Sequence, residues 1–117
     1  MHKAILLILF LLVTANGFGQ EDFLAKQYFN DGEFEKAVVF YEKLVEQNPR
    51  RTDYSEGLIA CYQQLERYKD AEVFLLAKIQ ESYAFPTFLI ELGYNYTLRE
   101  QSEQANDYYQ KAIAKIG

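Results

Sequence analysis

From Gln20 onward, apolar residues recur at helical spacing in short blocks, and each block ends in small or polar residues. Leu24 and Tyr28 are four apart and share one helical face; Ala37, Tyr41 and Val45 do the same on the next block. The blocks predict six helices, spanning about 21–30, 34–47, 52–65, 68–82, 86–99 and 102–115. Asp31-Gly32 reads as the first turn, and Asn48-Pro49 closes the second helix because proline disfavours helix in the residue before it. Asp53 with Glu56 has the spacing of a capping box for the third helix. Pro86 opens the fifth at its first turn, and Ser102 is the expected N-cap of the sixth. Gly57, inside the third helix, costs roughly 1 kcal/mol against alanine and has no evident reason beyond room for a ligand backbone.

The pattern repeats. Leu24, Tyr28 and Ala37 return as Leu58, Tyr62 and Ala71, and again as Leu92, Tyr96 and Ala105, always 34 residues on. Phe40, Phe74 and Tyr108 keep the same register, as do Val45, Ile79 and Ile113. A fixed period of this size is the mark of a solenoid. The three alanines let paired helix backbones come close, and the aromatics fill the wider gaps around that contact. Each unit is then an antiparallel helix pair that cannot bury its apolar face alone and buries it against a neighbour.

The units resemble the tetratricopeptide repeat, whose pattern is W-x2-L-G-x2-Y, then A-x3-F, then P over 34 residues. The first reads Glu21, Leu24, Ala25, Tyr28, Ala37, Tyr41 and Pro49; the second Ser55, Leu58, Ile59, Tyr62, Ala71 and Leu75; the third Leu89, Leu92, Gly93, Tyr96, Ala105 and Tyr109. No unit has the tryptophan, Pro86 comes three residues late for the second unit, and Ile59 stands where a small residue is usual, which predicts slightly wider packing. The resemblance implies an all-α, right-handed superhelical solenoid of three helix-turn-helix repeats, about 20–51, 52–85 and 86–117.

Residues 1–19 lie outside that domain. Lys3 gives a short basic start, Ala4 to Val13 is an apolar run, and Thr14 to Gly19 is a tail of mostly small and polar residues. This is the layout of a secretory signal peptide, with cleavage expected before Gln20. The run is shorter than the roughly 20 residues a membrane span needs. With no cysteine at the cut, a lipoprotein anchor is not expected. The expectation is an exported bacterial protein, periplasmic or secreted, without membrane insertion after cleavage.

Charge narrows the partners. Net charge is −5, and Lys3 is the only charged side chain before Gln20, so cleavage makes the chain more acidic still. Nucleic acid, whose phosphates need a basic face, is not an expected partner. The one histidine is His2, inside the leader, so the domain carries neither a Ser-His-Asp set nor a histidine-bearing zinc site. There is no phosphate-binding glycine loop, and carboxylate pairs such as Glu33 with Glu35 read as solvated surface. Cys61, the single cysteine, reads as a small buried apolar residue rather than a reactive thiol. No catalytic, cofactor-binding or metal-ligating residues are expected.

The resemblance implies capture of a peptide or partner helix in a concave groove lined by the first helix of each unit. The groove residues are Lys26, Phe29 and Asn30, then Glu56, Ala60, Gln63 and Gln64, then Ile90, Tyr94, Thr97 and Leu98. The last set is notably apolar and, with Phe29, suits an apolar anchor. A basic clamp for chaperone C-termini is not expected, since Asp22, Gly57, Thr87 and Glu91 stand at its places. The sixth helix is expected to leave Tyr109, Ala112, Ile113 and Ile116 partly uncovered, for further repeats, for self-association or for a partner. Two readings follow: a non-catalytic scaffold or adaptor, or the N-terminal docking module of a longer enzyme, transport or secretion component.

Overall fold

The computed structural model describes residues 17–81 and 86–116. Among them are six α-helices and no strand: α1 (Gly17–Asn30), α2 (Phe34–Gln47), α3 (Thr52–Gln64), α4 (Tyr68–Ile79), α5 (Pro86–Leu98) and α6 (Ser102–Ile116). This is the predicted all-α helical repeat. Most of the expected leader lies outside the described residues, and α1 already begins at Gly17, ahead of the predicted start near Glu21.

The turns inside the helix pairs share one construction. After α1 the amide of Gly32 donates to the Phe29 carbonyl (3.1 Å) and that of Glu33 to Tyr28 (2.8 Å). After α3 the amide of Glu66 donates to Gln63 (3.1 Å) and that of Arg67 to Tyr62 (2.7 Å). After α5 the amide of Glu100 donates to Thr97 (3.0 Å) and that of Gln101 to Tyr96 (3.0 Å). These are three Schellman motifs, which satisfy the last carbonyls of a helix by placing one residue in the left-handed region. That residue is Gly32 (φ 78°), Glu66 (φ 58°) and Glu100 (φ 59°), again 34 apart.

The next helix starts at once. Glu33, Arg67 and Gln101 offer their carbonyls to the amides of Ala37 (3.0 Å), Ala71 (3.2 Å) and Ala105 (3.1 Å). Ser102 is therefore the first helical residue of α6, and Gln101 takes the capping position expected of it. Asp53 likewise sits inside the first turn of α3. Its carboxylate accepts from Arg51 Nε (3.1 Å) and Nη2 (2.6 Å), and this pairing replaces the expected capping box.

The chain forms two compact units, one up to Gly57 and one from Leu58. In the first unit Ala25, Ala37, Tyr41 and Leu44 are buried, and Tyr28 stacks on Phe40 with centroids 5.7 Å apart. A β-carbon on Gly57 would come within 3.0 Å of three carbons of the Tyr41 ring. The glycine expected to admit a ligand backbone thus admits that ring instead.

In the second unit Ile59, Leu75, Phe88 and Leu92 form the core, with Phe74, Ile79, Tyr96 and Tyr108 packed against it. A β-carbon on Gly93 would lie 2.7 Å from the Tyr109 ring and 3.1 Å from the Ala105 carbonyl. Ile59 occupies the register of Ala25 and Gly93, and its partner Leu75 occupies that of Tyr41 and Tyr109. A larger residue on one helix is thus matched by a smaller one on the other, and both Ile59 and Leu75 are buried. Cys61 is buried as expected, and desolvation pushes its thiol up to about 12. On α6, Ile113 and Ile116 are well exposed, whereas Ala112 is buried, contrary to expectation.

Candidate functional site

In the second unit, the α3–α4 turn and the last turns of α3 and α5 enclose an open cavity of about 280 Å³. Gln63, Gln64, Glu66, Tyr68, Tyr94 and Leu98 line it. Four of these are groove residues expected from the sequence: Gln63, Gln64, Tyr94 and Leu98. Tyr94 is half exposed, and Ile90, one turn earlier on α5, is 42% exposed. Ala60 is half-buried. Thr97 donates from Oγ1 to the Gly93 carbonyl (3.1 Å) and lies 3.3 Å from the Tyr109 hydroxyl, so its polar group serves the helix pair.

Beneath the cavity lies a residue that the sequence reading passed over. Asn95 is fully buried, Nδ2 donating to the Tyr68 carbonyl (2.9 Å) and Oδ1 accepting from Gln63 Nε2 (3.3 Å). A buried amide that is not satisfied is costly, so this chain of bonds fixes Gln63 and the start of α4 together. The register carried the signal: Asn95 stands where the second unit has Cys61 and the first has Gln27. Glu66 was also legible, as a charged residue at the register of Gly32, and Tyr68 follows it two residues on.

A polar network flanks the cavity in the same unit. Glu72 is nearly buried; it accepts from the Tyr96 hydroxyl (2.6 Å), from Arg99 Nη1 (3.0 Å) and from Lys69 Nζ (3.4 Å). The Tyr96 hydrogen bond first, then the two cations, hold the Glu72 carboxyl below its usual value. The same hydrogen bond pushes the Tyr96 phenol up to about 12. The Tyr96 ring stacks on Tyr108 at 5.5 Å. These contacts tie α4 to α5 and α6, with one carboxylate shared between two cations.

The expected groove residues of the first unit are more engaged. Lys26 pairs with Asp22 (3.4 Å) one helical turn back. Phe29 meets Phe34 edge-on with centroids 5.1 Å apart, which staples the α1–α2 turn. Asn30 and Glu56 are exposed.

Among the described residues no group of three or more His, Cys, Asp or Glu side chains could hold a metal ion. No described helix is long and apolar enough to cross a membrane.

The tetratricopeptide repeat family model matches residues 23–51, which are α1 from Phe23 on, α2 and the residues after it. That segment is one tetratricopeptide repeat, and the two later units carry its leucine, tyrosine and alanine at the same offsets. Such repeats are protein–protein interaction modules, in general without catalytic activity. A search of curated proteins finds no match.

Proposed function

We propose that this chain is a non-catalytic scaffold that holds a peptide or partner helix against the first helices of its repeats. The observation that carries this reading is the cavity between α3 and α5. Its Tyr94 and Leu98 stand beside the exposed Ile90, while the amides of Gln63 and Gln64 offer hydrogen bonds. Aromatic and aliphatic anchors beside fixed polar groups are what a partner chain needs for a central contact. Export to the periplasm is part of the proposal, supported by the basic start and the apolar run of residues 1–19. N-terminal sequencing of protein recovered from the cell envelope checks it.

The test is affinity capture from an envelope extract, wild type beside a Tyr94→Ala, Leu98→Ala double variant. A defined partner lost in the variant supports the reading. A partner held equally by both refutes a site on α5.

A second reading, a docking module within a larger assembly, is favoured by Ile113 and Ile116, which are 59% and 66% exposed on one side of α6. An Ile113→Ser, Ile116→Ser variant separates the two. Loss of the partner there, with retention in the α5 variant, moves the contact to α6.

A further inference from the structure

We propose that the cavity of the second unit takes the cationic side chain, lysine or arginine, of a partner peptide. The proposal deepens the partner-binding reading above and rests on it. It starts from charge. The lining holds one carboxylate, Glu66, two phenol rings, two carboxamides and no basic residue. The cations nearest in sequence are already committed: Arg67 to Asp70 (2.8 Å), and Lys69 and Arg99 to Glu72. Among the described residues none reaches Glu66, so its charge faces the cavity without a counter-ion.

The rings carry the argument further. Across the chain a Lys or Arg lies over an aromatic face again and again: Lys36 on Tyr28, Lys43 on Phe40, Arg51 on Tyr54, Arg67 on Tyr62, Arg99 on Tyr96 and Lys111 on Tyr108, at 4.0 to 5.7 Å. Tyr68 and Tyr94 have no such cation among the described residues. An electron-rich ring face beside an unpaired carboxylate attracts an organic cation twice over. Gln63 gives one amide N–H to the buried Asn95, which fixes the carboxamide, and its carbonyl oxygen can accept from a guanidinium or ammonium donor. An anion is disfavoured by Glu66.

Size agrees. Sites that enclose whole small molecules run to about 300–1,000 Å³. The 280 Å³ here suits one long side chain entering from an open face. A net charge of −5 also steers basic partners toward the chain and repels acidic ones.

The probes are N-acetyl-arginine methylamide, its neutral citrulline counterpart and N-acetyl-leucine methylamide, titrated into the isotope-labelled full chain and followed by amide NMR shifts. Arginine is expected to move Gln63, Gln64, Tyr94 and Leu98 saturably, with citrulline about tenfold weaker, or about 1.4 kcal/mol. Glu66→Gln removes about the same factor for arginine and leaves citrulline unchanged. Glu66→Gly does so too while raising the unfolding midpoint, which excludes misfolding as the cause. Glu100→Gln, in the equivalent turn but outside the cavity, changes nothing.

Equal binding of arginine and citrulline, shifts confined to other helices, or full arginine affinity in Glu66→Gln would each overturn the proposal. Leucine binding at these residues with arginine silent overturns it too, yet leaves the partner-binding reading standing. Arginine bound as expected, with a protein partner indifferent to Tyr94→Ala, Leu98→Ala, supports the cation site and counts against that reading.

Discussion

Glu66→Gly and Glu100→Gly are expected to stabilise this protein although each removes a side chain. Both residues hold positive φ, 58° and 59°, at the turn position that Gly32 fills in the first unit. A residue with a β-carbon loses ~1–2 kcal/mol in the left-handed region, because that carbon crowds the following carbonyl oxygen. Glycine avoids the crowding, but its greater freedom in the unfolded chain takes back ~0.4–1 kcal/mol. The net expectation is a gain of about 1 kcal/mol per site. For a domain of this size that moves the thermal midpoint by ~4–8 °C. The two sites have separate turn hydrogen bonds, so the double variant should gain close to the sum. Gly32→Ala supplies the opposite sign, a loss of about 1 kcal/mol, since nothing lies within 4 Å of its missing β-carbon and only the backbone is strained. Thermal and urea unfolding followed by far-UV circular dichroism read the four variants beside wild type. Glycine variants no more stable than wild type at both positions would refute the reasoning, because they would show that the turns relax without penalty.

Two other outcomes follow from the packing. Gly93→Ala should lower the urea midpoint, by about 1–2 kcal/mol, because the new methyl meets both the Tyr109 ring and the Ala105 backbone; Tyr109→Leu in the same chain should recover much of that by copying the Ile59–Leu75 solution. Glu72 makes stability depend on pH. Its carboxyl titrates below the ordinary 4.5 when folded, so its contribution is whole above about that pH and is lost as pH falls through the folded value. Urea midpoints at about pH 7 and about pH 3 should therefore differ more for wild type than for Glu72→Gln, and equal differences would remove Glu72 from the account.

The fold was legible because it is written three times. Leu, Tyr and Ala at fixed offsets define a helix pair whether or not any one unit is ideal, and the predicted bounds of α2 match those observed. Chain punctuation was less legible. Asp53 and Ser102 have the chemistry of N-caps, yet Arg51 takes the carboxylate of the first, and the three-residue turn puts Gln101 rather than Ser102 at the cap. A local preference yields there to a turn imposed by the repeat. Four of the six lining residues could be read from the faces of α3 and α5: Gln63, Gln64, Tyr94 and Leu98. Glu66 stood out by its register, but its place and that of Tyr68 on the cavity wall could not be read, because both belong to a turn and its following helix, where side-chain direction depends on a left-handed residue that no helical periodicity reports. Gly57 failed for a related reason. Its space is used by Tyr41, from the helix before it, and only the packed structure brings the two together.

In a repeat protein, each departure from the repeat asks what compensates it. Ile59 is large where Ala25 and Gly93 are small, and Leu75 is correspondingly reduced. Lys78 is buried at the register of Leu44 and Ala112, and its ammonium lies over Phe74 (5.5 Å) and toward Glu81 (3.7 Å). Asn95 is polar in the core, and both ends of its amide are bonded. These three are packing solutions. Glu66 is different in kind. It keeps a strained backbone that glycine would relieve, and its carboxylate meets no cation among the described residues. Glu100 carries the same strain with nothing in the structure to explain it, so strain by itself does not mark a site. What separates Glu66 is its place on the cavity wall beside two tyrosines without cations of their own. If the strain at Glu66 is retained for binding, relieving it must trade ligand for stability, whereas at Glu100 it must yield stability alone.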